Sequence, residues 1–278
     1  MSAPRKHRRC KTSPPAHAPV MRSLGVVLSD VHCPFDDTDV VRMALEFIRE
    51  HRPGTVHLLG DIADFYSVSR FAKDPARKED LQADLDCTRE FLHKLREAAP
   101  RARIIYSEGN HEFRLRKYLT SEAKALAMLR DLRLEHLLDF SSLRIRFQPQ
   151  DRPYRVGSLL FTHGQIVRKW SGATARGHFE KYGSCVIHGH SHRLGAFYHR
   201  DIDDTYAAWE NGCLCSLNPD YVVAPDWQSG WSVVWSRRDY FHVEQVAVVK
   251  GRYNYHGKIH GRKKLTATAH FEVEDVGV

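Results

Sequence analysis

Five short clusters of Asp, Asn and His, each closing its own apolar run, constrain this chain more than any other feature. Residues 24–28 end at Ser29-Asp30-Val31-His32, and residues 55–59 end at Gly60-Asp61-Ile62-Ala63-Asp64. Residues 103–107 lead into Gly109-Asn110-His111-Glu112, residues 158–162 into His163-Gly164, and residues 185–187 into His188-Gly189-His190-Ser191-His192. Short apolar runs bounded by turn residues read as buried strands. Open α/β sheets bind ligands where loops leave the carboxyl ends of their strands. Five polar clusters at five strand ends can therefore meet in one imidazole- and carboxylate-rich pocket.

The segments between the runs support an alternating architecture. Val40, Val41, Ala44, Leu45 and Ile48 share one helical face, with Asp39 ahead of them as a cap. Leu81, Leu85, Thr88, Leu92 and Leu95 repeat at helical spacing until Pro100 stops them, placing a helix over 79–98. Residues 113–138 read as helix-rich, 143–147 as a strand and 173–182 as a helix. The aromatic and β-branched runs 205–209, 231–235 and 240–248 read as strands, and Arg237-Arg238-Asp239 as the hairpin turn between the last two. Strand and helix alternate early and strands dominate late, so the expectation is an α/β body of mixed sheets.

Charge divides the 278-residue chain into a body and two ends. The formal net charge is +8, yet Arg5, Lys6, Arg8, Arg9, Lys11 and Arg22 lie at one end and Lys250, Arg252, Lys258, Arg262, Lys263 and Lys264 near the other. Without those 12, 30 Lys and Arg face 34 Asp and Glu, so the body is mildly acidic. The expected domains are a basic, proline-containing disordered tail over 1–20, a folded domain over 21–249, and a basic extension over 250–278. Basic ends can attract nucleic acid through counterion release, and they serve equally as solubilising tails. No aromatic–basic stacking stripe stands out in the body. No apolar run approaches the length of a membrane span, and 1–20 lacks the apolar core of a secretory signal. The six cysteines, Cys213-x-Cys215 among them, match no zinc-knuckle spacing and read as reduced thiols of a cytoplasmic protein.

Taken singly, each polar cluster has an ordinary reading. Asp30-x-His32 is a common strand-end turn, Gly60-Asp61 is as often a turn as a ligand, and Asn110 could hold a left-handed position. Taken together, imidazole and carboxylate in this density suit transition metals, and a carboxylate can bridge two ions. Two such ions can clamp both oxygens of a phosphoryl displacement.

The five blocks resemble, in order and without a gap, the signature blocks of the calcineurin-like metallophosphoesterase superfamily, over residues 24–235. Gly109 to Arg116 is similar to the small phage and bacterial members. The resemblance implies two mixed β-sheets packed as a sandwich flanked by helices (an αββα fold). It implies two divalent transition-metal ions, manganese foremost, with iron, zinc and nickel as alternatives. Asp30, His32, Asp61 and His192 would hold one ion; Asp61, Asn110, His163 and His190 would hold the other. A hydroxide shared by the ions would attack a phosphodiester or phosphomonoester. His111 would be the acid or charge stabiliser, oriented by Asp64, and Asn110 would also face the substrate. Apart from the resemblance, Arg114 or Arg116 could contact a phosphate, since guanidinium matches its oxygens, although helix-surface arginine is the ordinary case. Phe65-Tyr66 stands after Asp64 where protein phosphatases of the superfamily carry Arg-Gly, which argues against a Ser/Thr protein phosphatase. A metal-dependent nuclease is the alternative, and a non-catalytic binding scaffold a remoter one. The oligomeric state is not legible.

Overall fold

The computed structural model describes residues 23–70, 80–219, 224–237 and 240–261. The basic tail expected over 1–20 and the last residues of the expected extension, 262–278, lie outside the described residues.

Strand β1 (Ser23–Leu28) is followed by helix α1 (Thr38–His51) and β2 (Thr55–Leu58). Helix α2 (Leu81–Ala98) then leads to β3 (Arg103–Ser107), α3 (Asn110–Ser121), the short α4 (Leu134–Leu137) and β4 (Ile145–Gln148). Strands β1 to β4 pair in parallel, as right-handed strand–helix–strand connections favour. Two later strands, β10 (Gly230–Ser236) and β11 (Phe241–Ala247), extend this sheet antiparallel beyond β1, giving the order β11-β10-β1-β2-β3-β4.

The second sheet has β6 (Leu159–Thr162), β7 (Val186–His188) and β9 (Thr205–Glu210) in parallel at its centre. Antiparallel edges, β5 (Tyr154–Val156) and β8 (Gly195–Arg200), complete the order β5-β6-β7-β9-β8. Both edge strands escape the sequence reading. Exposure along β8 is too high for its apolar residues to show a buried run.

The layers follow from which face each side chain takes. Successive strand residues point to opposite faces. Val26 and Leu28 of β1 pack with Phe47 and Ile48 of α1 and Leu92 of α2, whereas Val27 joins Phe161, Ile187 and Trp209 of the second sheet. Leu160, Val186 and Ala208 turn outward onto α5 (Ala173–Tyr182). The result is the αββα sandwich. With both faces of β1 buried, its sequence reads as a continuous apolar run.

Two expectations are corrected. The cap of α1 is Asp37, whose Oδ1 accepts from Asp39 N and Val40 N at 3.1 Å each; Asp39 is already inside the first turn. Residues 113–138 are not one helical section. Helix α3 stops at Ser121, where Thr120 and Ser121 hydroxyls bond back to the carbonyls of Arg116 and Lys117, and Leu126, Met128 and Leu129 beyond it are exposed. Past 249, where the basic extension is expected to begin, the chain still packs against the sandwich. A hairpin, β12 (Arg252–Tyr255) with β13 (Lys258–Gly261), buries Tyr253 and Tyr255 against Phe47, and Tyr253 also meets Trp231.

Candidate metal centre

All five polar clusters leave carboxyl ends of central strands, and their loops close on one another. Asp30 N donates to Gly60 O, His32 N to Asp61 O, and Leu214 N to Asp30 O. Gly60 and Gly109 lie back to back. A Cβ on Gly60 would fall 2.6 Å from Gly109 Cα, and one on Gly109 would fall 2.2 Å from Asp61 Oδ1. Gly60 also has φ +101°, a conformation that favours glycine.

Five of the seven proposed ligands share an unusual backbone. Asp30, His32, Asp61, His190 and His192 have φ of 54°, 53°, 52°, 70° and 57°. Left-handed conformations cost non-glycine residues energy and persist where surrounding structure over-determines them, most often at functional sites. Here the over-determination is visible in the crossed loop hydrogen bonds.

The side chains gather in two groups about Asp61. Asp30, His32 and His192 form one, with His192 Nε2 3.3 Å from Asp30 Oδ1 and 3.1 Å from His32 Nε2. Asp61, His163 and His190 form the other, with His163 Nε2 3.3 Å from Asp61 Oδ2. Asn110 Oδ1 joins this second group, 2.9 Å from His163 Nε2. Asp61 Oδ2 also stands 3.9 Å from His32 Nε2, which puts it between the groups.

Electrostatics fit a cationic occupant. Burial raises the Asp61 pKa, but His163 and His111 outweigh it and hold the carboxyl well below its usual range. Burial likewise opposes Asp30, and His192 overcomes it. Burial depresses His163, yet the Asp61 charge lifts it to about 9, while burial holds His190 at about 4. The ionised carboxylates draw a proton onto His163, which a bound metal ion would displace. With the neutral imidazole of His190 they make a negative pocket of oxygen and nitrogen ligands of the kind divalent transition metals take.

His111 lies beside the groups. Its Nδ1 is 2.8 Å from Asp64 O and 3.0 Å from Asp64 Oδ1, and its Nε2 faces Asp61 Oδ2 at 3.8 Å. Arg114 Nη2 is 2.8 Å from His111 Nε2, whereas Arg116 turns away to Glu108 Oε2, also at 2.8 Å. Spacing alone could not separate these two arginines.

Several supporting contacts emerge only in the structure. Asp64 Oδ1 also holds His32 Nδ1 at 3.0 Å, so one carboxylate orients two imidazoles. Glu112 is a hub: Oε1 accepts from Ile62 N, Ala63 N and Tyr106 OH, and Oε2 from Asp61 N and Gly109 N. Its place three residues after the helix cap is the capping-box signal for such a supporting role. Arg193, buried, bonds the carbonyls of Arg168 and Lys169 and so fixes the segment leaving His163. His188 ends β7 and stacks on His178, and Asn211 bonds Ser29 and Ser232 behind the first loop.

Comparison with known proteins places the chain. The gene 54 protein of Mycobacterium phage D29 is 30% identical over 250 residues, covering 84% of this chain and 97% of that protein. The chain belongs to this phage gene 54 family. No family model matches it. Vacuolar protein sorting 29 from Cryptosporidium parvum covers 87% of this chain and 99% of its own, with 11% identity and a TM-score of 0.49. The Escherichia coli phosphoesterase YfcE covers 76% and 87%, with 12% identity and a TM-score of 0.39. The strand order and the five blocks at the strand ends give the αββα sandwich of two mixed sheets that the sequence resemblance implies. Among its described residues no helix is long and apolar enough to cross a membrane.

Proposed function

We propose that this protein is a two-metal phosphoesterase. The observation that carries the reading is the pairing of Asp30–His32–His192 with Asp61–His163–His190 about a shared Asp61, with His111 alongside. Asp30, His32, Asp61 and His192 would hold one ion, and Asp61, Asn110, His163 and His190 the other. Bound ions would supply Lewis acidity, placing charge on phosphoryl oxygens and making water acidic near neutral pH. Manganese is the first choice, with iron, zinc and nickel able to use the same donors.

The chain's own residues handle the leaving group. Asp64 accepts from Nδ1 of His111 and so presents Nε2, the nitrogen that would carry a proton to the leaving oxygen. Arg114, at hydrogen-bond distance from that nitrogen, can move its guanidinium onto a phosphoryl oxygen as the substrate enters. Asn110, on the first turn of α3, faces the same space.

The test is hydrolysis of an aryl phosphodiester with added Mn²⁺. His111→Ala is expected to lower kcat by about 10²–10⁴-fold while metal stays bound. Equal inertness of both proteins, with two ions bound per chain, would refute catalysis and leave a binding scaffold.

A nucleic-acid or nucleotide diester is a second reading with its own observation. Trp170, on the segment leaving His163, is 65% exposed, and Lys169 Nζ lies 4.7 Å from its ring centroid. An exposed indole beside an ammonium suits base stacking next to a phosphate. A panel of single-stranded DNA, RNA, cyclic nucleotides and phosphopeptides separates the substrates.

A further inference from the structure

We propose a separate binding site for a thiophilic divalent cation, of the zinc class, formed by Cys33, Asp36 and Cys87. Their donor atoms all lie within 4.8 Å of one another, and Cys87 Sγ is 4.0 Å from Asp36 Oδ1. In a tetrahedral zinc site, bonds of about 2.3 Å to sulfur and 2.0–2.2 Å to oxygen separate donors by roughly 3.5–3.8 Å. Closing the cluster onto an ion therefore needs a shift of a few tenths of an ångström between Cys87 and Asp36 and of no more than about 1.3 Å for any other pair. The cluster joins distant segments: Cys33 and Asp36 lie on the loop after β1, and Cys87 lies on α2.

The surroundings favour a site over an accident of packing. Cys33 is buried, and its backbone is held on both sides, N donating to Ile62 O at 2.8 Å and O accepting from Asp64 N at 3.0 Å. Asp36 is fixed by a bridge to Cys215. Cys87 and Asp36 are only half-buried, which leaves an approach for the ion and room for a water as fourth ligand. Binding would convert two thiols to thiolates and release two protons, leaving Zn²⁺ with two sulfurs, one carboxylate oxygen and a water.

The donor set differs in kind from that of the candidate metal centre. Two sulfurs select zinc-like ions over manganese, while imidazole and carboxylate accept either. A second thiol group, Cys213 and Cys215 with His192, shares its histidine with the candidate centre and so is not independent of it. The ion at Cys33, Asp36 and Cys87 would tie α2 to the residue directly after His32.

The test uses the full chain, reduced and stripped of metal, titrated with Cd²⁺ in the presence of excess Mn²⁺. Thiolate–cadmium bonds absorb in the near ultraviolet, and imidazole or carboxylate ligation does not. One equivalent of cadmium is expected to produce the band, Cys87→Ser to lose it, and Cys215→Ser to keep it. No band in the wild type, a band surviving in Cys87→Ser, or its loss in Cys215→Ser would each overturn the proposal. Should Cys87→Ser fail to fold, Asp36→Asn serves instead: cadmium affinity about tenfold weaker is expected, and unchanged affinity overturns the site. None of these readouts involves phosphoesterase activity.

Discussion

Replacing Glu112 with Gln isolates what holds the centre together. The substitution keeps the volume, removes the charge and turns one acceptor oxygen into an NH₂ donor. Glu112 accepts from four backbone N–H groups and one hydroxyl, all within 2.6–3.2 Å. If the new NH₂ takes the Oε2 position, Asp61 N and Gly109 N lose their acceptor; at Oε1, Ile62 N and Ala63 N lose theirs. Tyr106 can rotate its hydroxyl, so the best case still leaves two buried donors unpaired. At about 1–3 kcal/mol each, the cost is about 2–6 kcal/mol, against about 5–15 kcal/mol for a whole domain. Burial, and then the Asp61 charge, push the Glu112 pKa up, which by itself would make a neutral replacement harmless or favourable. The two effects therefore predict opposite signs. Urea unfolding at neutral pH decides between them: a lower midpoint at unchanged slope supports the hub. A change smaller than about 1 kcal/mol, or a gain in stability, refutes it.

Other consequences are open to direct measurement. Asp61→Asn is expected to lower manganese occupancy at both groups and Asp30→Asn at one; equal losses in equilibrium dialysis would remove Asp61 from its bridging role. His57 is held neutral, its pKa lowered to about 3 by burial and then by Arg103. The unfolded chain takes up that proton below about pH 6.5, so stability falls as pH drops from there towards 3, by about 1.4 kcal/mol per unit. His57→Phe should shrink the stability difference between pH 7 and pH 5 by about 2 kcal/mol in urea titrations, and an unchanged difference argues against the buried neutral ring. Tyr253→Ala should cost about 3–5 kcal/mol if the β12–β13 hairpin is part of the domain core. A near-zero change in the unfolding midpoint would mean the hairpin is an appendage.

Much of the fold was legible because apolar strands buried on both faces leave unbroken runs in the sequence. Strand β3 and helix α5 lie where their patterns place them, and the remaining central strands agree to within two residues. The edges β5 and β8 and the hairpin β12–β13 were not legible, since half-exposed strands carry little apolar signal. Asp37 capping α1 in place of Asp39 is a matter of one turn's geometry, which composition does not encode.

For the centre, the sequence by itself determined that five polar clusters at strand ends meet in one place, because a parallel sheet brings its strand ends to one edge. The seven candidate ligands, His111 and Asp64 were singled out by the resemblance. Only the tertiary structure decided the connections. It placed Asp61 between two groups and gave Asp64 to both His32 and His111. It sent Arg114 to the centre and Arg116 away, and made Glu112 the joint between two loops. Contacts of the centre join residues far apart in the chain, 160 positions in the case of His32 with His192. Periodicity reports what a residue does within its own element. Which distant side chain it meets depends on how the sheets stack and how tightly Gly60 and Gly109 let their loops approach.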